Sequence, residues 1–517
     1  MQRRKPARSL PAESPITPVP LQAGGSGPSE GEATTAPRLD ELVTGVVEPL
    51  GATTSFDVIV RRFRLADRPA ALLFLDGFVQ TTPTLRVLQA LMKVPGGALG
   101  EAPREELETH LVPYFEVQWL QQAPEAVEQV LAGQAILVVE GVEGFCAIDL
   151  RRYPSRSVSE PDLERVTRGA REGFVETGLV NVNLVRRRLR DPHLRVEVLK
   201  VGLRSRNDVF LLYVEDLAPP DLIQELRRRL ADIRADALPM GSKNLEEYLV
   251  GTRFNPLPRV RYTERPDVAA SHLLEGYAII ITDTSPAAMI LPANVWQFTQ
   301  HAEEYVQVPL VGTYLRWVRF FAIALSVVLV PLWLALAQAR PQLPQWLQWV
   351  GPKKPSVFPL GLQLLLLHLG LDIIRMALIH TPTALATSIG LVGAVLLGQF
   401  AVEAGLFTNE ALLYSALAAI GSFTTPALEF ALAMRLLVYP LLGLVALAGL
   451  WGLAAGLLGI LYLMGFTRSF GLPYLWPLFP LRRQALSRLL FRYPIPAVRT
   501  HRAPGPKAHR QGSPHPR

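Results

Sequence analysis

The sequence predicts a two-part chain: an α/β tandem soluble domain made of two similar subdomains, then an α-helical polytopic membrane domain. Three observations carry this. Residues 317–466 are almost free of charge while the flanking chain is polar, the front half alternates short apolar runs with helical patterns, and two segments of that half recur in the same order. A length of 517 residues leaves room for about two to four domains.

Residues 1–38 are rich in Pro, Gly, Ser, Ala and Glu with almost no aromatic side chains. Such a composition cannot bury enough apolar surface to offset ordering entropy, so a disordered leader is expected. Its basic start, MQRRKPARSLPAESP, has no apolar core behind it and is not a secretory signal. From Leu39 the pattern LDELVTGVVEPLG reads as a helix, and ALLFLDG (71–77) as a buried strand ended by an Asp-Gly turn.

The repeat pairs LLFLDGFVQTTPTLRVLQAL (72–91) with LLYVEDLAPPDLIQELRRRL (211–230), and LAGQAILVVEG (131–141) with LEGYAIIITDT (274–284). Order and spacing both recur, so residues 39–150 and 151–308 are expected to be similarly folded subdomains, each with helices on a small sheet. The duplication is either architectural or frames a ligand cleft between the halves. Residues 152–183 read as a polar linker. The run Arg186, Arg187, Arg188 and Arg190 reads either as a solvated face or as an ion-pairing surface for Glu160, Glu164, Glu172 and Glu176.

A membrane-spanning helix needs roughly 20 mostly apolar residues. Residues 320–337 (FFAIALSVVLVPLWLALA) meet that need, with Trp317 and Trp333 as interface anchors. Residues 358–379, 385–406 and 439–466 are the other full spans of a 309–466 transmembrane domain. Between the last two, Gly421, Pro426, Glu429 and Arg435 break residues 409–437 into a re-entrant segment, tolerable at membrane depth only when protein or water surrounds it. Residues 467–517 form a basic, Pro-rich tail. Its Arg468, Arg482, Arg483, Arg488 and Arg492 favour the cytosol by the positive-inside rule, against Arg340, Lys353 and Lys354 in the first outer loop. A cytosolic front domain then requires an even number of crossings.

The net charge of +7 is concentrated in the two tails, which points to anionic lipid headgroups as partners and not to nucleic acid. The single cysteine, Cys146, excludes an intrachain disulfide and reads as a small buried strand residue. No phosphate loop, HExxH, CxxC, GxSxG or dinucleotide fingerprint is present, so no enzyme, catalytic residue, cofactor or metal is expected.

The candidate functional residues therefore lie in the apolar block. His368, Asp372 and Arg375 fall on one helical face, either toward a water path or with Asp372 and Arg375 paired to fix packing. Gln399 and Glu403 form a second polar stripe. Glu429 and Arg435 flank the broken segment, where freed carbonyls suit an ion path. Gly390, Ala394 and Gly398, and separately Gly452 and Gly456, are small-residue stripes that let helix backbones approach, within one chain or between chains. Enlarging the first, as in Gly398→Leu, is expected to disrupt assembly.

RSVSEPDLERVTRGAREGFVE (156–176), NLVRRRLRDPHLRVEVLKVG (183–202), TERPD (263–267), SPAAMILP (285–292), GLVGAVLLGQFAVEAGL (390–406) and SFTTPALEFALAMRLL (422–437) resemble the A subunits of the GerA-type spore germination receptors. The resemblance runs from about Leu39 to Phe466. It implies a multi-pass protein of the spore inner membrane acting in germination, as a subunit of an oligomeric ion channel or an amplifier of receptor signalling, with homo-oligomeric and other germination membrane proteins as partners. At His368 the receptors carry a glutamate, and QHAEEYVQVPLVGTYLRWVRF (300–320) and RMALIHTPTALATSIGL (375–391) place the chain nearer an accessory branch. A secondary transporter is the alternative, opposed by the lack of an inverted second copy of the membrane block. A non-conducting scaffold is another.

Overall fold

The computed structural model describes residues 38–100, 102–152, 164, 166–251, 254–380 and 401–494, with no side-chain description for 378–380. The expected leader, Glu160, Gln399 and the stripe Gly390, Ala394 and Gly398 lie outside the described residues.

Helix α1 (Leu39–Leu50) precedes the antiparallel strands β1 (Val58–Leu65) and β2 (Arg68–Leu75). After α2 (Thr81–Met92) come β3 (Val117–Leu120), α3 (Ala123–Leu131), β4 (Ala135–Val139) and β5 (Phe145–Ile148), giving a five-stranded sheet ordered β1-β2-β4-β5-β3. The uninterrupted apolar run of β2 follows from burial on both faces. Ala71, Leu73 and Leu75 pack on one side against α1 and α3, and Ala70 and Leu72 on the other against Val87 and Leu91 of α2.

The second half repeats the plan. Helix α4 (Gly178–Arg188) leads into β6 (Leu194–Val201) and β7 (Asn207–Val214), then α5 (Pro220–Ala231), α6 (Ser242–Val250), β8 (Arg261–Thr263), α7 (Pro266–Leu274), β9 (Ala278–Thr282) and β10 (Ala288–Leu291). Its sheet runs β6-β7-β9-β10-β8, strand for strand the order of the first. The internal repeat read from the sequence is thus matched by a common topology.

Two expectations need correction here. Residues 178–183, read as the end of a polar linker, belong instead to the mostly buried helix 178–188, where Asn181 turns its amide inward to donate to the Val175 carbonyl at 2.5 Å and accept from the Val175 amide at 2.8 Å. Nor do the arginines behave alike. Arg186 is buried and grips Asp57 of the first half through Nε and Nη2 at 2.9 and 3.0 Å, whereas Arg187 and Arg188 reach Glu172. The halves are further sealed by the Phe56 amide donating to the Val196 carbonyl and by Phe56 against Phe210 with ring centroids 5.5 Å apart.

The helical block opens with α8 (Pro309–Gln338) and α9 (Leu360–His380), followed by a short helix Ala401–Glu403, α10 (Asn409–Phe423) and α11 (Leu428–Phe466). Three of these, Pro309–Gln338, Leu360–Ala377 and Leu428–Phe466, are long and apolar enough to cross a membrane. Leu447, Trp451, Leu458 and Tyr462 are exposed on the outside of the block.

The expected straight span 439–466 is replaced by a hairpin. Gly449 leaves the helical region at φ 56°, ψ −130°, Gly452 abuts the Leu444 carbonyl and Gly456 abuts Leu441. Residues eight and fifteen apart cannot touch along one straight helix, so the chain reverses at Gly449 and arms 428–448 and 450–466 lie antiparallel. The second piece of the expected broken segment is therefore the start of the first arm. Only 424–427 interrupt helicity there, between α10 and α11. The Gly452 and Gly456 stripe serves a contact within the chain.

The segment that follows the second sheet packs against the block and the chain just beyond it. Phe298 stacks on Phe430 of the first arm at 5.7 Å, and the Val295 amide donates to the carbonyl of the buried Tyr474 just beyond the second arm. A small hairpin (Arg468–Ser469 with Leu472–Pro473) and α12 (Arg483–Leu490) follow.

A candidate intramembrane polar site

Four polar side chains from α9 and the first arm of α11 converge inside the helical block. His368 is 4 % exposed, and its Nδ1 donates to the Leu364 carbonyl one turn back at 2.9 Å. One turn further on, Asp372 forms an ion pair with Arg435 and accepts a hydrogen bond from the Tyr439 hydroxyl. Arg435 also donates to the His368 carbonyl at 3.0 Å, and the Tyr439 ring stands edge-on to the imidazole at 6.5 Å. Spacing explains the convergence: 368 and 372 share one face of α9, and 435 and 439 one face of the arm running against it.

Asp372 thus pairs across helices, and no Asp372–Arg375 ion pair occurs among the described residues, contrary to the packing alternative read from their spacing. Arg375 instead lies over the Phe423 ring at 5.2 Å, with a buried Nη1 that has no hydrogen-bond partner among the described residues. A void of about 10 Å³ adjoins His368 and Arg435, bordered by Ser326 and Ser422. That is about the room one water requires, and the lining offers it polar contacts.

Glu403 is exposed at the end of its short helix. Glu429 is also exposed, in the first turn of α11. It faces the soluble half: the Tyr262 hydroxyl, raised far above the phenol range first by burial and then by Glu246, also feels the Glu429 charge. Glu429 and Arg435 therefore serve different surroundings.

Several participants escaped the sequence reading. Tyr439 lies four residues from Arg435, a spacing that would have found it. Gln363, 1 % exposed, donates to the Phe358 carbonyl at 2.7 Å and accepts from the Thr408 amide at 2.9 Å, tying the start of α9 to that of α10. At the base of α8, the fully buried Glu304 accepts from Arg316 Nε at 2.6 Å and pairs with Arg319. Arg316 then donates to the Leu489 carbonyl of α12 at 2.8 Å. One carboxylate thereby joins the soluble half, the first membrane helix and the tail, through partners far apart in sequence.

Comparison with known proteins places these features in context. The family model described as Bacillus/Clostridium GerA spore germination protein matches residues 48–503. The tail up to residue 503, which the sequence reading left outside the resemblance, belongs within it. The chain is 43% identical over 450 residues to stage V sporulation protein AF of Bacillus subtilis (strain 168), covering 87% of this chain and 91% of that protein. It is 28% identical over 466 residues to spore germination protein KA of the same organism, covering 89% and 85%. Among solved structures it is similar to the crystal structure of the N-terminal domain of the A subunit of the Bacillus megaterium spore germinant receptor GerK3, with 25% identity, 50% of this chain and 96% of that chain covered, and a TM-score of 0.37.

Proposed function

This chain belongs to the GerA family of Bacillus/Clostridium spore germination proteins, and from that premise we propose that it works in the spore inner membrane as a subunit of an oligomeric ion channel that amplifies germinant receptor signals. The observation that carries the reading is the network of buried His368 and half-buried Asp372, Arg435 and Tyr439 within membrane-spanning helices. Ionisable groups are costly at that depth and are retained where they serve a bundle interior or a water path. The network sits beside a void of about 10 Å³ bounded by α8, α9, α10 and α11, room for about one water. Because the chain enters the helical block directly from the second subdomain and the residues just beyond α11 return to it, the Val295 amide donating to the Tyr474 carbonyl, the tandem domain and the basic tail share one side, the cytosolic one.

The test is monovalent-cation efflux from liposomes holding the purified protein, compared with Asp372→Asn and Glu403→Ala. Passive flux that falls in Asp372→Asn supports a channel whose path is shaped by the network. Flux that requires a second solute gradient identifies a transporter instead. A folded, oligomeric preparation with no flux identifies a scaffold or a need for further subunits.

A further inference from the structure

Two adjoining cavities open where the returning arm of α11 meets the helices of the second sheet. One, of about 190 Å³, is bordered by Arg229, Arg259 and Arg468. The other, of about 850 Å³, shares Arg259 and Arg468 and adds Phe254, Leu463 and Phe466. Among the described residues neither wall contains a carboxylate.

Two of the three arginines have no carboxylate partner among the described residues. The third, Arg229, donates from Nε to Glu225 at 2.6 Å, a carboxylate it shares with Arg228, and also donates to the Leu249 carbonyl and lies over the Phe470 ring at 4.8 Å. Arg259 has no ion pair or side-chain hydrogen bond among the described residues, and its Nε is buried without an acceptor. A buried donor left unmatched costs free energy that an incoming anion would recover. Burial first, and then the nearby Arg229, pull the Arg259 guanidinium below its usual range, so a negative group there would relieve both. Arg468 is exposed and likewise unpaired among the described residues.

The apolar wall specifies the rest of the ligand. Phe254 is 96% and Phe466 76% exposed, and with Leu463 they form a hydrocarbon surface continuous with the outside of the arm 450–466. Cations sit at the level where that arm leaves the apolar block, and apolar side chains lie on its membrane side. A soluble anion would use the first and leave the second uncovered.

We propose that these cavities together hold one anionic phospholipid, its phosphate among Arg229, Arg259 and Arg468 and its acyl chains along Leu463, Phe466 and Phe254. The assignment rests on the membrane reading of residues 309–466. It gives the junction between soluble and membrane halves a lipid-dependent contact that uses the first residues of the tail and is distinct from the arginines of α12.

The experiment uses the full-length protein in neutral detergent, with phosphatidylglycerol, phosphatidylcholine and inorganic phosphate as probes, read by native mass spectrometry and thermal shift. Phosphatidylglycerol is expected to stay bound and stabilise, and phosphatidylcholine to do neither. Arg259→Gln/Arg468→Gln should weaken the bound phosphatidylglycerol by about 10- to 30-fold, the loss that two headgroup-facing cations represent. Arg259→Lys/Arg468→Lys should keep most of it, and Arg483→Gln/Arg488→Gln in α12 should keep all of it. Undiminished binding in the first variant overturns the proposal, as does loss only in the α12 variant, which would move the lipid contact to the tail. Inorganic phosphate reproducing the full shift would make this a soluble-anion site. Failure of the unaltered protein to insert into phosphatidylglycerol vesicles would instead refute the membrane reading on which the assignment rests.

Discussion

Removing the charge of Glu304 tests whether the junction of the three parts is held by one buried carboxylate. Glu304 is 0% and Arg316 1% exposed, with Nε 2.6 Å from the carboxylate, while Arg319 keeps 15% of its side chain in solvent. At an effective dielectric near 20, unit charges at that separation attract by roughly 6 kcal/mol. Desolvation of both groups offsets most of this, so the pair itself contributes little net stability. Glu304→Gln is different, because it leaves the Arg316 guanidinium buried and uncompensated at a cost of about 3–5 kcal/mol. The low end is expected, since Arg316 still donates to the carbonyls of Arg488 and Leu489 and Arg319 can turn to water. Replacing Arg316 by Met as well should recover more than half of the loss, because the orphaned charge is gone. Pulse proteolysis of the full-length protein in detergent across a denaturant series measures both quantities, and trypsin cleavage within α12 reports whether the tail has detached. A loss below about 1 kcal/mol in Glu304→Gln, or a double variant costing the sum of the two single ones, would refute the reasoning.

Asp57→Ala should destabilise the tandem domain by about 3–5 kcal/mol, again because Arg186 would be left buried without its partner, and denaturant unfolding followed by tryptophan fluorescence will read it. Gly449→Val should cost about 1–3 kcal/mol or open the hairpin, since φ 56° with ψ −130° is strained for any side chain with a Cβ. A disulfide formed between Leu441→Cys and Gly456→Cys in the native hairpin should then fail to form. Burial pushes the Cys146 thiol up to about 12, with the Glu108 charge a lesser cause, so at pH 8 it stays protonated and buried. Iodoacetamide labelling at that pH should be negligible in the folded protein and complete within minutes once the first sheet is unfolded; ready labelling of the native state would contradict the strand assignment.

The legible parts of this protein are those set by local pattern. Uninterrupted runs such as ALLFL and AIIIT announce strands covered on both faces, the recurrence of segments in fixed order announces a common topology, and the charge-poor block 317–466 announces helices for an apolar solvent. His368 and Asp372 were visible because a helical face follows from spacing. Arg435 was singled out too, but the pairing between them was not. Asp372 takes Arg435 and Tyr439 from a helix more than sixty residues away, Arg186 takes Asp57 across two subdomains, and Glu304 gathers Arg316, Arg319 and, through them, α12. The reversal at Gly449 was hidden for another reason: its neighbours are as apolar as a straight span, and only the close packing of Gly452 and Gly456 against the other arm distinguishes a hairpin. The sequence by itself determined the apolar strands, the repeated plan of the two halves and the block of helices meant for an apolar solvent, because periodicity and hydropathy act within a few turns of chain. The tertiary structure alone decided which buried charge meets which, because in a low-dielectric interior that choice depends on distances that long-range folding sets.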